Sequence, residues 1–128
     1  MSWLVTGGAG YIGAHVVRAL RAANLDAVVI DDLSTGFREF LPSDVPFVHG
    51  SLLDDGALAE AFTRQPISGV IHIAGYKYAG ESVRRPMHTY EQNVAASMRV
   101  WSAALEAGVQ NIVFSSSAAV YGTPDTDL

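Results

Sequence analysis

The stretch that decides the fold is "VTGGAGYIGAH", residues 5 to 15, where glycines recur among apolar residues. Two spacings overlap in it: Gly8, Gly10 and Gly13 satisfy G-x-G-x-x-G, while Gly7, Gly10 and Gly13 keep a strict three-residue step. Glycine turns at positive φ without steric cost and lets another backbone or a bound group come close. Just before the turn, "WLVT" (3 to 6) is a short apolar run of strand type. Just after it, Ile12, Val16 and Leu20 repeat at four-residue steps, the spacing of one helix face. The turn therefore joins a strand to a helix.

The same alternation continues outward. "AVVI" (27 to 30), "PFVH" (46 to 49), "VIHIA" (70 to 74) and "NIVFS" (111 to 115) lack the in-out alternation of a half-exposed strand. They read as strands buried on both faces, as in a parallel sheet. Leu58 and Phe62 mark a helix after an N-cap at Asp54, and Asp32 to Pro42 reads as a long loop or short irregular helix. The longest pattern opens at Pro86 and carries Met87, Tyr90, Val94, Met98, Trp101 and Leu105 up to Gly108. That stripe is expected to be core, with packing on a second subunit as the other open reading. Right-handed crossovers then predict an α/β, Rossmann-type doubly wound parallel sheet of five strands in the order 3-2-1-4-5.

A length of 128 residues with 49 % hydrophobic content fits one domain, residues 1–128. Net charge −5 with only eight basic residues excludes a nucleic-acid partner as the expectation, and makes backbone groups the main holders of any anion. The chain has no cysteine, so disulfides and thiolate metal sites are excluded. No apolar run approaches the ~20 residues of a membrane span, and the first apolar residues lead straight into the glycine turn without room for a leader. A cytoplasmic protein is expected. His15, His49, His72 and His88 share no ligand spacing with carboxylates and read as structural or exposed, with no metal site.

The glycine turn sits in the context required of a dinucleotide-binding fingerprint: a strand before, a helix after, and Asp31 at the end of the second strand. Amides at the helix start would face a pyrophosphate, and the Asp31 carboxylate would accept the adenosine ribose hydroxyls while repelling a 2′-phosphate. NAD is thereby favoured over NADP. A tight turn with Asp31 merely capping the next loop is the alternative, and Arg38 in that loop stands as a possible partner for a 2′-phosphate. Lys77, the sole lysine, lies in "AGYKYAGES" (74 to 82), either beside cofactor phosphates or as a solvated charge. In "SSSAAVYG" (115 to 122) the hydroxyls suit either a substrate oxygen or local backbone groups at a strand end.

Together, "LVTGGAGYIGAH", "IDDLSTG", "VIHIAGYKYAGESV" and "NIVFSSSAAVYG" resemble the extended short-chain dehydrogenase/reductase family along the whole chain, and within it the UDP-glucose (UDP-galactose) 4-epimerases. The resemblance implies a tightly held NAD and a UDP-sugar oxidised at C4 and re-reduced through a 4-keto intermediate, a reaction of galactose metabolism. It places Gly7, Gly10, Tyr11, Ile12 and Gly13 on the pyrophosphate, Asp31 and Asp32 on the adenosine ribose, and Leu52 beside adenine. It puts Ile73, Ala74, Gly75 and Lys77 along the dinucleotide further in, with Asn93, next to Gln92, near the cofactor cleft. Ser117 takes the role of the catalytic serine, hydrogen-bonding the sugar's 4-oxygen. A homodimer joined through long helices is implied for the full-length enzyme.

Two departures from the family's pattern stand out. Gly50-Ser51 replaces a Gly-Asp that meets the adenine amino group. The family's Tyr-x-x-x-Lys, whose lysine lowers the tyrosine's pKa, belongs beyond the serine, whereas this sequence reaches Leu128 eleven residues after Ser117. No upstream copy exists, because the residue four before Lys77 is Ile73. The expectation is an NAD-binding N-terminal part of an epimerase, lacking the C-terminal substrate region and inactive by itself. Another nucleotide-sugar enzyme of the same family, or a non-catalytic NAD-binding module, remains the alternative.

Overall fold

The computed structural model describes residues 1–123. Five strands, β1 (Ser2–Thr6), β2 (Asp26–Asp31), β3 (Phe47–His49), β4 (Ile67–His72) and β5 (Asn111–Phe114), form one sheet. All four pairings are parallel and the order is β3-β2-β1-β4-β5, as expected of a doubly wound α/β fold. The central strands alternate their burial between two layers. Leu4, Val28, Ile30 and Val70 enter the core under α2 (Asp55–Thr63) and the long helix; Val5, Ala27 and Val29 enter the core that includes Ala14 and Val17 of α1 (Tyr11–Ala22). Burial on both faces is why these runs show no alternation.

Asp54 caps α2 as the sequence predicts, its carboxylate accepting the amides of Gly56 (2.9 Å) and Ala57 (3.3 Å). The loop after β2 contains a single 3₁₀ turn at Arg38–Phe40. After β4 come the short α3 (Ala79–Arg84) and then α4 (Pro86–Tyr90), a π-helical turn (Glu91–Ala95) and α5 (Ala96–Glu106), the last three continuous.

Two expectations are corrected. The stripe on the long helix is not core: Met87, Tyr90, Val94, Met98 and Leu105 are all at least half exposed, and Trp101 is only partly buried. Ala96, Val100 and Ala104 face the sheet instead. Small residues allow that close approach. Likewise β5 is not buried on both faces: Ile112, Val113 and Phe114 are 42 %, 51 % and 58 % exposed. It is the edge strand, paired to β4 on one side.

Candidate functional site

In a parallel sheet all strands deliver their carboxyl ends to one edge, and the sequence-predicted site residues gather there. At the end of β1, Gly7 adopts φ +68° and donates its amide to the Ile30 carbonyl at 2.9 Å. A Cβ on Gly7 would lie 2.8 Å from the Ala74 backbone, and one on Gly13 only 2.1 Å from the Gly7 carbonyl oxygen. Gly10 differs: its Cβ would meet only the Gly7 oxygen, at 3.3 Å, so its outer side is open. Of the evenly spaced three, Gly7 and Gly13 are closed against backbone and Gly10 is open. Gly8 makes room for Val29, whose Cγ1 would stand 2.6 Å from a Cβ there.

Gly10 is the N-cap of α1 and brings no side-chain acceptor, and no acidic residue stands in the first turn. The amides of Tyr11, Ile12 and Gly13 meet no acceptor among the described residues; Ala14 is the first to bond, to the Gly10 carbonyl at 2.9 Å. Unpaired donors at the positive end of a helix dipole favour an anion. The Tyr11 and Ile12 side chains are exposed, so backbone is what this turn presents to a ligand.

Asp31 ends β2 and binds in two directions. Its Oδ2 accepts the Ala9 amide and its Oδ1 the Leu33 amide, both at 2.9 Å. Each oxygen keeps a lone pair for a further donor. Asp31 thus holds the local turn, in which Leu33 has φ 58°. Burial raises its pKa, with the two amides and His49 opposing the shift. Asp32 is exposed and accepts the Ser34 amide at 2.9 Å. Arg38 points away: its guanidinium donates to the carbonyls of Leu41, Pro42, Ser43 and Val45 and stacks over Phe47, 5.2 Å from the ring centre. Leu52 is buried in the α2-side core, and the Ser51 hydroxyl accepts the Leu53 amide at 3.1 Å.

At the end of β4, the Ile73 and Ala74 amides reach the Thr6 hydroxyl at 3.2 and 3.3 Å. Asn93, in the π turn, clamps the next loop through both backbone groups of Tyr76: Oδ1 accepts the amide at 2.7 Å and Nδ2 donates to the carbonyl at 2.8 Å. A Cβ on Gly75 would sit 3.3 Å from that Asn93 oxygen. Lys77 is exposed and meets no carboxylate among the described residues. After β5, the exposed Ser117 opens a 3₁₀ turn (Ala118–Tyr121), its hydroxyl accepting the Ala119 amide at 3.1 Å.

Sequence reasoning missed three contributors. Thr6 and Ser97 flank the buried His72 ring, at 2.7 Å from Nδ1 and 2.9 Å from Nε2. Gly36 presses the β2 loop onto the glycine turn, where a Cβ would lie 2.9 Å from the Ala9 carbonyl. "STG" (34 to 36) was a local signal for Gly36; no local signal existed for the other two, whose partners are distant in sequence. Among the described residues no group of three or more His, Asp or Glu is placed to hold a metal, and no helix is long and apolar enough to cross a membrane.

A family model described as the NAD dependent epimerase/dehydratase family matches residues 3–127. The UDP-glucose 4-epimerase of Azospirillum brasilense is 46 % identical over 123 residues, covering 96 % of this chain and 35 % of the relative. That of Klebsiella pneumoniae is 39 % identical over 129 residues, covering 95 % of this chain and 93 % of the relative. The crystal structure of the Thermus thermophilus UDP-glucose 4-epimerase in complex with NAD superposes with a TM-score of 0.92 at 37 % identity, covering 99 % of this chain and 42 % of that one. Against the Azospirillum and Thermus proteins the chain thus spans between a third and a little over two fifths of their length. With this sheet order, this glycine turn and a match along nearly its whole length, the chain belongs to the NAD dependent epimerase/dehydratase family.

Proposed function

We propose that these residues are the NAD-binding, N-terminal part of a UDP-glucose 4-epimerase, which interconverts UDP-glucose and UDP-galactose by oxidation and re-reduction at C4. The observation that carries the reading is the glycine turn itself. Gly7 and Gly13 are closed against backbone, whereas Gly10 is open beside three unpaired amides, a cradle that a Cβ on Gly10 would fill. The residues present fit a dinucleotide. When bound, NAD supplies the hydride acceptor and donor for the sugar's C4.

The amides of Tyr11, Ile12 and Gly13 receive the pyrophosphate on the open side of Gly10, and Asp31, with Asp32 beside it, accepts the adenosine ribose hydroxyls. Two carboxylates at that corner, with Arg38 already occupied by four carbonyls, support NAD over NADP. Leu52 borders the adenine. Ile73, Ala74, Gly75 and Lys77 flank the further half, with Asn93 supporting the loop; Lys77 is exposed and meets no carboxylate among the described residues. Ser117 retains a hydroxyl hydrogen to donate to the sugar's 4-oxygen. The exposed stripe of Met87, Tyr90, Val94 and Met98 supports a homodimer of the full enzyme through the long helix.

The general base of this family, a Tyr-x-x-x-Lys tyrosine, has no counterpart in residues 1–128. Residues 1–128 alone are therefore expected to show no conversion of UDP-galactose in a coupled assay. Turnover by that piece would overturn the reading, as would failure of the complete gene product to bind NAD or to interconvert the two sugars.

A further inference from the structure

The His72 ring is 2 % exposed, stacked with Phe114 and edge-on to Trp101. Its hydrogen bonds can be given a direction. The single hydroxyl hydrogen of Ser97 goes to the Asn93 carbonyl, so Ser97 Oγ accepts from His72 Nε2–H, and the Thr6 hydroxyl, whose oxygen shares the amides of Ile73 and Ala74 with the Thr6 carbonyl, donates to His72 Nδ1 at 2.7 Å. Nδ1 is therefore the unprotonated nitrogen, and Nε2–H donates to the Ser97 hydroxyl at 2.9 Å. Ser97 in turn donates to the Asn93 carbonyl at 2.5 Å. The Asn93 side chain then holds both backbone groups of Tyr76. One chain of donors thus runs from the last residue before the glycine turn, through β4, to the long helix and back to the loop that carries Lys77.

We infer that His72 is a positioning residue: through Thr6, Ser97 and Asn93 it sets the loop 73–77 against the glycine turn, and so shapes the half of the site away from the adenosine. An apolar ring would fill the same space between Trp101 and Phe114, so packing alone does not call for histidine. A buried imidazole is tolerated only with its nitrogens paired, and both are. This inference rests on the NAD reading above.

The test uses the complete gene product stripped of nucleotide, with NAD and ADP titrated by calorimetry. His72→Phe keeps the ring and removes both hydrogen bonds. NAD affinity should fall about tenfold, the loss expected when about one net hydrogen bond's worth of ordering disappears. ADP, which lacks the nicotinamide half, should bind as before. Ser97→Ala should act in the same direction, and the double variant should be no weaker than His72→Phe, because both interrupt one chain. Unchanged NAD affinity in folded His72→Phe, equal losses for NAD and ADP, or losses that multiply in the double variant would each overturn the inference. Should His72→Phe fail to fold, Ser97→Ala decides by its NAD-to-ADP contrast alone. A wild-type protein that binds neither nucleotide defeats the NAD reading and this inference together, whereas one that binds both, with no contrast in the variants, defeats this inference only.

Discussion

Gly7, Gly10 and Gly13 do different jobs, and alanine separates them. At Gly13 the new methyl would meet the Gly7 carbonyl oxygen at 2.1 Å, so Gly13→Ala should destabilise the fold by about 1–3 kcal/mol, read as a lower urea midpoint. At Gly10 the nearest atom is 3.3 Å away on one side only. Gly10→Ala should lower the urea midpoint less than Gly13→Ala does and should weaken NAD, because the methyl occupies the open side. Asp31 makes a pH-dependent case. Burial raises its pKa in the free protein, so as pH falls it loses its charge before an ordinary aspartate does. NAD affinity should weaken as acid is added from pH 7 through that raised value, and Asp31→Asn should bind weakly with the slope gone. Calorimetric titration across pH checks both.

Elements were legible where the signal was local. β1, β2 and β4 are continuous apolar runs because the two layers bury them, and the Asp54 cap lies within three residues of the amides it accepts. Asp54→Ala should therefore cost about 1 kcal/mol of stability by chemical denaturation. The long helix misled for a physical reason. Apolar spacing reports a face but not what covers it: the stripe stays exposed on both sides of the π turn at Glu91–Ala95, while the small Ala96, Val100 and Ala104 pack in the core. β5 misled because composition registers apolar content but not what covers it. The glycine turn and Asp31 could be read because they lie within about 25 residues of one another. The Thr6–His72–Ser97 links, separated by 66 and 25 positions, required the fold to bring them together.

At the scale of the whole molecule, His72 ties stability to pH. Desolvation lowers its pKa from 6.5 to about 4, so protonation favours the unfolded chain. Its contribution is complete above about 6.5 and is lost as pH falls from there towards 4. Thermal melts across that window should show a falling midpoint that His72→Phe flattens. The uncovered edge at β5 gives a second expectation. Its outer strand presents unpaired backbone groups beside Ile112, Val113 and Phe114, a template for pairing with another chain. Residues 1–128 by themselves should self-associate on size-exclusion chromatography, and a well-behaved monomer would contradict this.

The wide turn at Glu91–Ala95 also sets how this gene tolerates length changes. A helix advances about 100° per residue, so losing one codon from that turn would swing everything upstream of it by more than a quarter circle. Tyr76 would then slip out of the grip of Asn93, and trypsin would find Lys77 in a strap no longer fastened at its middle.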